Sequence, residues 1–336
     1  MSTAATDFPR APAARSVSST RRLAAWALTA PALVLMALIL IAPVMIAATL
    51  SFTDYSLGSD GFDWVGLENY EKILTRSTYE KMFWATGAYV LIVVPMSVGL
   101  GLGAALLITS LGRFGNVYKT IYFLPVMATL LAMAIVWELM LSPSVGVVNR
   151  TLLAGCETVA HDVLTFSLLG TPAEETWYGD ICANGAPVWL GDKRYALGVI
   201  CFIGIWQAFG FNMVLYLAGL TGVPRELYHA AEIDGAKSAW ERFRLVTWPA
   251  LGPTTVFVVT ITCIRAFQVF DTIEAIYPQG AGPGKTAYVM MFAIFEKGVK
   301  QNLIGIGAAI TVIFLIFVMF ITLIQRRLVE RKVHYS

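Results

Sequence analysis

Six polar or charged residues interrupt the long apolar stretches of this sequence: Glu138, Gln207, Asn212, Arg265, Gln268 and Asp271. A polar side chain is costly in lipid, so such residues face the interior of a helix bundle or a pathway through it. Amide and carboxylate groups beside aromatic rings suit a polyhydroxylated ligand, because they hydrogen-bond to hydroxyl groups while the rings stack on C–H faces. The pattern therefore predicts a polar pocket, with hydrogen bonding between helices as the alternative.

The strongest candidates lie in two neighbouring apolar stretches. Ile264, Gln268 and Asp271 are spaced at i, i+4 and i+7, which places them on one face of a helix, with Phe267 beside them. The preceding apolar stretch contributes a second set: Gln207, Phe211 and Asn212. Each stretch is thus expected to present a polar face.

Several kinds of chemistry are excluded by spacing. Residues 280–286 read GAGPGKT, but a phosphate-binding loop needs a glycine where Gln279 stands, and the segment follows an apolar helix rather than a buried strand. The histidines are scattered without metal-ligand spacing: His161, His229 and His334. We find no catalytic motif, no metal site, and no basic run interleaved with aromatic residues that would indicate nucleic-acid binding.

Composition places the chain among polytopic membrane proteins. Of its 336 residues, 57% are hydrophobic and 14% charged, whereas about a quarter of residues are charged in a soluble domain. A membrane-spanning helix needs about 20 mostly apolar residues. Six stretches qualify: residues 23–50, 83–110, 120–141, 195–220, 253–270 and 303–324. The predicted fold class is an all-α membrane protein with six transmembrane helices.

The N-terminal region is expected to differ from the rest. Residues 1–20 are rich in Ala, Ser and Pro and predict a disordered cytoplasmic N-terminus, followed by a membrane domain over residues 21–336. An arginine pair before an apolar run is also a feature of signal peptides. This run is long, contains Pro31 and Pro43, and lacks a small-residue cleavage site. We therefore interpret it as a retained first helix.

The distribution of Lys and Arg predicts that both termini are cytoplasmic. Of the 24 such residues, this orientation places 14 in inside segments, nine in outside loops and Arg265 within a span. Residues 142–194 then form an external loop, and residues 221–252 form a cytoplasmic loop.

Two of the four cysteines fall in the predicted external loop. An oxidising compartment would allow Cys156 and Cys182 to form a disulfide, with two free thiols as the alternative. Cys201 and Cys263 lie within predicted helices and are interpreted as packing residues.

The cytoplasmic loop has an ordered series of signals. Residues 226–253, ELYHAAEIDGAKSAWERFRLVTWPALGP, predict an Ala-rich helical piece and a break at Asp234-Gly235. A second helical piece with basic and aromatic residues follows, and then Pro249 and Pro253. Such punctuation is typical of a docking element rather than a linker.

This segment resembles the cytoplasmic EAA loop in permeases of binding-protein-dependent ABC importers, whose pattern is E-A-A-x-x-D-G-A, a spacer, and I-x-L-P. The matching residues are Ala230, Ala231, Asp234, Gly235, Ala236, Val246, Trp248 and Pro249. Further segments resemble the carbohydrate branch, of the maltose and glycerol-phosphate type: VGLENY (65–70), YFLP (122–125), AGP (281–283) and KVHY (332–335). The first Glu of the motif is His229 here, and Glu226 or Glu232 could supply the missing carboxylate.

The resemblance implies the ABC type I importer permease fold and a transmembrane permease subunit for carbohydrate import in the bacterial inner (plasma) membrane. The implied partners are a second permease subunit, two cytoplasmic ATP-binding subunits and a periplasmic solute-binding protein. ATP and Mg would bind to the ATP-binding subunits, and this chain would have no cofactor and no enzymatic activity. The ATPase-coupling loop would comprise Glu226, His229, Ala230, Ala231, Asp234, Gly235, Ala236 and Pro249. The substrate pathway would comprise Gln207, Phe211, Asn212, Phe267, Gln268 and Asp271.

Other functions stay open from the sequence. A substrate of the glycerol-phosphate type is the alternative within the importer class, favoured by Arg265 and disfavoured by Asp271. A stand-alone secondary transporter or channel would need coupling groups in the membrane, for which Glu138 and Arg265 are the candidates. These two residues could also pair with each other. A membrane-embedded enzyme would need clustered His or carboxylate residues, which the sequence lacks.

Overall fold

The computed structural model describes residues 19–159, 181–182 and 185–330, and over these residues the secondary structure is helical apart from one isolated bridge, Thr53 to Trp64. The helices are α1 (Ser19–Met36), α2 (Ala42–Leu50), α3 (Glu68–Thr75), α4 (Ser77–Ser110), α5 (Gly115–Met127), α6 (Leu130–Met140), α7 (Val147–Val159), α8 (Ala196–Thr221), α9 (Arg225–Ile233), α10 (Ala239–Arg242), α11 (Gly252–Phe267), α12 (Asp271–Ile276), α13 (Met290–Phe295) and α14 (Ile304–Glu330). Disorder was expected for residues 1–20; the last two of these begin α1, and residues 1–18 lie outside the described residues.

The chain divides into two compact units, Met1–Thr49 and Leu50–Ser336. In the first unit, α1 continues into α2 through the π-helical turn Ala37–Ile41. The resulting apolar helix, Trp26–Leu50, is long enough to cross a membrane. The expected apolar helix at this position is therefore confirmed.

The number of spans depends on one bent pair of helices. Over the described residues, five helices are long and apolar enough to cross a membrane, and the pair α5 and α6 makes a sixth if it is counted as one span. α4 is the longest helix among the described residues. It begins at Ser77, six residues before the predicted start at residue 83. Its 34 residues span roughly 50 Å at about 1.5 Å per residue.

The third predicted span, residues 120–141, is interrupted. α5 and α6 meet at an angle of 99°. Ala128 and Thr129 between them have extended backbones, and the Thr129 hydroxyl accepts a hydrogen bond from the Ala132 N–H, which caps α6. The prediction of one continuous helix is wrong, because this capped turn breaks the helix inside the apolar stretch.

The fifth span extends beyond its predicted end at residue 270, since the apolar segment Gly252–Ile276 is of membrane-spanning length, and it is interrupted as well. α11 ends at Phe267, Gln268 and Phe270 have non-helical backbones, and Asp271 begins α12. The prediction that Gln268 and Asp271 share a helical face with Ile264 is therefore wrong. Asp271 instead stands in the first turn of a new helix, where a carboxylate is favoured by the helix dipole.

The second unit is built around α4, α8 and α11, which pack against one another. A Cβ atom at Gly101 of α4 would lie 2.7 Å from the Cβ of Asn212 in α8. Only glycine permits so close an approach of the two helices. This contact fixes the register of α4 against α8 next to the candidate site.

A disulfide joins the two parts of the predicted external loop. Cys156, in α7, is bonded to Cys182, and the two Cα atoms are 5.6 Å apart. The Trp189 indole N–H donates to the Asn149 side-chain oxygen at 2.6 Å, which holds the segment before α8 against α7. Cys201 and Cys263 are buried among the helices, as expected for packing residues.

Candidate functional site

A cavity of about 350 Å³ lies where the two interrupted spans meet. Val126 and Leu130 flank the break between α5 and α6, and residues 268–271 contain the break between α11 and α12. Irregular backbone at membrane depth is tolerated where it lines a cavity. Discontinuous helices of this kind form substrate sites in transporters.

Most of the predicted pathway residues line this cavity. Those contributed by α8 and by the α11–α12 break are Gln207, Phe211, Asn212, Gln268 and Asp271. The cavity wall therefore combines amide, carboxylate and aromatic groups. These groups can hydrogen-bond to hydroxyls and stack against the C–H face of a ring.

Asn212 has a structural task at the cavity wall. It is 1% exposed, its Nδ2 donates to Ser97 Oγ at 3.3 Å, and its Oδ1 accepts from the Thr262 hydroxyl at 2.8 Å. These bonds connect α8 to α4 and α11. The sequence allowed two roles for Asn212, a ligand contact or a hydrogen bond between helices. The structure shows hydrogen bonds between helices.

Phe267 was predicted to line the substrate pathway. It does not line the cavity, so this prediction is wrong. It is 2% exposed and packs edge-to-face on Phe317, with ring centroids 5.4 Å apart. The helix ends directly after Phe267, so its side chain points into the core while the following residues turn toward the cavity.

Arg265 lines the cavity and lies over an aromatic ring. Its guanidinium carbon is 4.1 Å from the centroid of Phe211. Among the described residues no ion pair joins Arg265 to Glu138, which is exposed near the end of α6. The ion pair that the sequence allowed is absent from this part of the chain.

Tyr89, Gly204 and Thr262 also line the cavity, and sequence reasoning missed them. A Cβ atom at Gly204 would overlap the Tyr89 hydroxyl group, so the glycine makes room for the phenol. Tyr and Thr are common in apolar helices. Nothing in their local spacing distinguishes these two from packing residues.

The second candidate element is the loop between α8 and α11. α9 ends at Ile233, and Gly235 follows with φ of +97°, a backbone conformation that L side chains rarely adopt. The order of elements predicted for this loop, a helix, a break at Gly235 and a second helical piece, is confirmed. Its Ala231, Ala236 and Val246 side chains form a small buried cluster.

The start of α10 is fixed by a capping box. The Ser238 hydroxyl accepts from the Glu241 N–H at 3.1 Å, and the Glu241 carboxylate accepts from the Ser238 N–H at 2.8 Å. These hydrogen bonds from Ser238 hold the pKa of Glu241 below its ordinary value. The Tyr228 and Thr247 hydroxyls hydrogen-bond at 3.0 Å and connect α9 to the end of the loop.

The two glutamates of α9, Glu226 and Glu232, differ in whether they form ion pairs within the loop. Glu232 Oε1 accepts from Arg242 at 2.6 Å, and its other oxygen is 3.9 Å from His229 Nδ1. Glu232 is thus paired inside the loop. Glu226 is exposed and has no ion pair within the described residues, so it is the carboxylate that remains available to a partner.

The outer surface of the loop carries exposed apolar groups. Ile233 is 87% exposed and Leu227 is 48% exposed. The other predicted coupling residues divide by burial: Ala231 and Ala236 are buried, and the exposed ones are Glu226, His229, Ala230, Asp234, Gly235 and Pro249. The loop lies beside the C-terminal end of α4, with which it forms a groove of about 690 Å³.

The architecture is that of a multi-pass membrane protein, in which interrupted helices surround a polar cavity and a short helix stands exposed beside one end of α4. A family described as "Binding-protein-dependent transport system inner membrane component" matches residues 97–335. The chain belongs to this family, and it is an inner-membrane permease component of a binding-protein-dependent transport system.

Relatives and solved structures agree with this family. The chain is 27% identical over 320 residues to the arabinooligosaccharides transport system permease protein AraP of Bacillus subtilis, covering 94% of this chain and 91% of AraP. It is 26% identical over 275 residues to the sn-glycerol-3-phosphate transport system permease protein UgpA of Agrobacterium fabrum, covering 82% and 83%. A chain of a bacterial ABC transporter that imports the acidic polysaccharide alginate has the same fold, with a TM-score of 0.74, 20% identity, and coverage of 93% and 96%.

Proposed function

We propose that this chain is the transmembrane permease subunit of an ATP-driven carbohydrate importer and forms the path for a sugar, oligosaccharide or polyol. The observation that carries the proposal is the cavity at the two helix breaks. Gln207, Gln268 and Asp271 offer hydrogen-bond partners for hydroxyl groups there, and Phe211 offers a ring face. The arabinooligosaccharide and glycerol-3-phosphate systems of its relatives support this class of substrate.

The exposed loop helix α9 supports coupling to cytoplasmic ATP-binding subunits. Ile233 and Leu227 present apolar surface beside the free carboxylate of Glu226, a combination suited to docking in a cleft. ATP and Mg bind to those partner subunits in this proposal, and hydrolysis takes place there. Closure of the two ATP-binding subunits would move the loop and reorganise the spans around the cavity between two discrete states.

The remaining partners and the orientation complete the proposal. A second permease subunit faces this chain, and a periplasmic binding protein delivers the substrate from the other side. Six spans with both termini in the cytoplasm place the loop inside and the Cys156–Cys182 disulfide outside, where disulfides persist. The complex of the alginate transporter with a substrate-bound periplasmic protein supports this arrangement.

A stand-alone transporter or channel has less support. It would need coupling groups inside the membrane, and the candidate Glu138 is exposed and outside the cavity. The exposed apolar face of α9 would also have no purpose in such a protein.

Purification of the tagged chain from its native membrane in mild detergent, followed by mass spectrometry, tests the proposal. We expect a second permease and an ATP-binding protein to co-purify, and a carbohydrate-binding protein to associate with them. A single chain, under conditions that hold a known importer together, would contradict the proposal and favour a stand-alone transporter.

A further inference from the structure

We propose that the cavity binds the anionic group of its substrate at Arg265, so that the transported carbohydrate carries a carboxylate or a phosphate ester. This inference rests on the proposed function and narrows its substrate class. It is argued from the charge at Arg265, from the other cavity groups, and from a basic cluster nearby.

Arg265 is a permanent cation inside a membrane-spanning segment. It lies in the last turn of α11 and lines the cavity, and no carboxylate of the described residues lies within 4.0 Å of it. An arginine side chain does not lose its proton in proteins. Asp271 lines the same cavity but lies beyond ion-pair distance, so the guanidinium has no direct contact with a carboxylate. A cation without a contacting anion is costly at this depth, and the cavity therefore favours a ligand that brings an anion to the guanidinium.

Phe211 holds the guanidinium without using its hydrogen bonds. The guanidinium carbon lies 4.1 Å from the ring centroid, which is cation–π contact distance. A guanidinium has five N–H donors in its plane, and two of them match the oxygens of a carboxylate or a phosphate. The ring face thus pre-orients the cation for an anion.

The other cavity groups suit the hydroxyls of the same ligand. Asp271 lines the cavity but forms no ion pair with Arg265, so it remains an acceptor for hydroxyl groups. Gln207 and Gln268 add amide donors and acceptors. A ligand with hydroxyls at one end and an anion at the other satisfies all four side chains.

A cluster of cations lies near the cavity along α12. This basic cluster comprises Arg76, Lys81, Lys193, Lys285 and Lys297. Lys81 Nζ donates to the Gly284 carbonyl at 3.3 Å, and the Lys193 side chain lies against the same glycine. Tyr277, which touches this turn at Gly282, is six positions after Asp271, at the other end of α12. That separation is roughly 9 Å at about 1.5 Å per residue.

The basic cluster has an excess of positive charge. Its nearby carboxylates are Glu80, next to Lys81 in the chain, and Asp192, which is next to Lys193 and accepts from Arg194 at 3.0 Å. A third, Glu296, lies 3.9 Å from Lys285 Nζ and accepts from the Tyr288 hydroxyl. Partial burial lowers the pKa of Lys297, and the positive charges of Lys285 and Arg76 act in the same direction while Glu296 opposes them. Clustered charge of one sign concentrates ligands of the opposite sign.

ATP-driven uptake by the complete importer in proteoliposomes, with its binding protein, tests the inference. The probes are matched pairs: trigalacturonate against its methyl ester, and glucose 1-phosphate and glycerol 3-phosphate against glucose and glycerol. We expect uptake of at least one anionic probe and not of its neutral partner. The first pair reports a carboxylate ligand and the others report a phosphate ligand.

Arg265→Gln should lower uptake of that anion by about 10- to 100-fold, as expected for loss of charge-assisted hydrogen bonds. Arg265→Lys should retain part of it. Thr260→Val, in the same helix but outside the cavity lining, is the control and should transport normally. The thermal stability and subunit composition of each variant complex should match the wild type, which separates binding from folding.

Three results would overturn the inference: uptake of neutral probes only, no uptake of any probe, or unchanged anion uptake by an assembled Arg265→Gln complex. Uptake of neutral sugars by a complex with ATP-binding subunits would leave the proposed function intact. Absence of those subunits would instead contradict the proposed function itself.

Discussion

Asn212 ties three helices together at the cavity wall through its bonds to Ser97 and Thr262. From the sequence, its polarity in an apolar stretch indicated either a ligand contact or a bond between helices. The choice depended on partners 115 and 50 residues away along the chain, which local spacing does not reveal. Gln207 lies five residues earlier in the same helix and lines the cavity. Two similar amide side chains therefore have different roles, which depend on the residues that surround each of them in the fold.

Thr262→Val should destabilise the protein, because it leaves the buried Asn212 oxygen without its donor. A buried polar group that loses its partner costs about 1–3 kcal/mol, and bonds between membrane helices lie at the lower end of that range. We expect a lower thermal unfolding temperature in detergent. Thr260→Val is the matched control, since the Thr260 hydroxyl donates only to the Val256 carbonyl of its own helix at 2.8 Å. An equal decrease in both variants would contradict the role of Asn212.

Helix breaks are the main feature that the sequence did not predict at the scale of elements. The apolar stretches at residues 120–141 and 253–270 satisfied the length criterion for continuous helices. The first breaks at the Thr129 cap and the second after Phe267. Apolarity reports that a segment lies in the membrane, but it does not report whether its backbone stays helical. The cavity exists because both breaks occur at the same place.

The loop around α9 was predicted far better, since Gly, Ser and Pro at fixed positions have local conformational meaning. Gly235, in a left-handed conformation, and Ser238, in a capping box, fulfil the roles that their types indicate. Burial of Ala231 and Ala236 against Val246 then holds α9 against the later part of the loop.

Gly235→Val should uncouple transport from ATP hydrolysis. A β-branched residue at a φ of +97° is strained by about 1–3 kcal/mol, which displaces α9 relative to α10. We expect uptake in proteoliposomes to fall at least tenfold while ATPase activity and subunit assembly persist. Lys237→Val places the same side chain two residues later at an ordinary φ and should transport normally. Wild-type uptake by Gly235→Val would count against the loop as the coupling element.

The whole molecule is a permease whose two ends differ in chemistry. One end of α4 adjoins the loop with its exposed apolar side chains, and the other adjoins the basic cluster. The all-helical class, the family and the order of elements in the loop around α9 could be predicted from composition and motif. The cavity could be predicted only as two polar faces, because its walls come from helices far apart in sequence.

The proposed orientation predicts how many thiols react under denaturing conditions. With Cys156 and Cys182 on the oxidising side, two thiols, Cys201 and Cys263, should react with a maleimide polymer in unreduced membranes. All four cysteines should react after reduction. The count is read from gel mobility. Four reactive thiols without reduction would contradict the placement of this region outside the cytoplasm.

The central claim is that α9 of this chain docks on an ATP-binding subunit, and cysteine cross-linking tests it most directly. The native cysteines are buried or bonded, so an Ile233→Cys variant adds one exposed thiol at a position that is 87% exposed. Leu57→Cys, at a position that is 61% exposed and whose backbone N–H donates to the Asn302 carbonyl before α14, is the control. We predict that a short bismaleimide in native membranes joins position 233, but not position 57, to the ATP-binding subunit. No cross-link at position 233 in an intact complex, or equal cross-linking at both positions, would contradict the account.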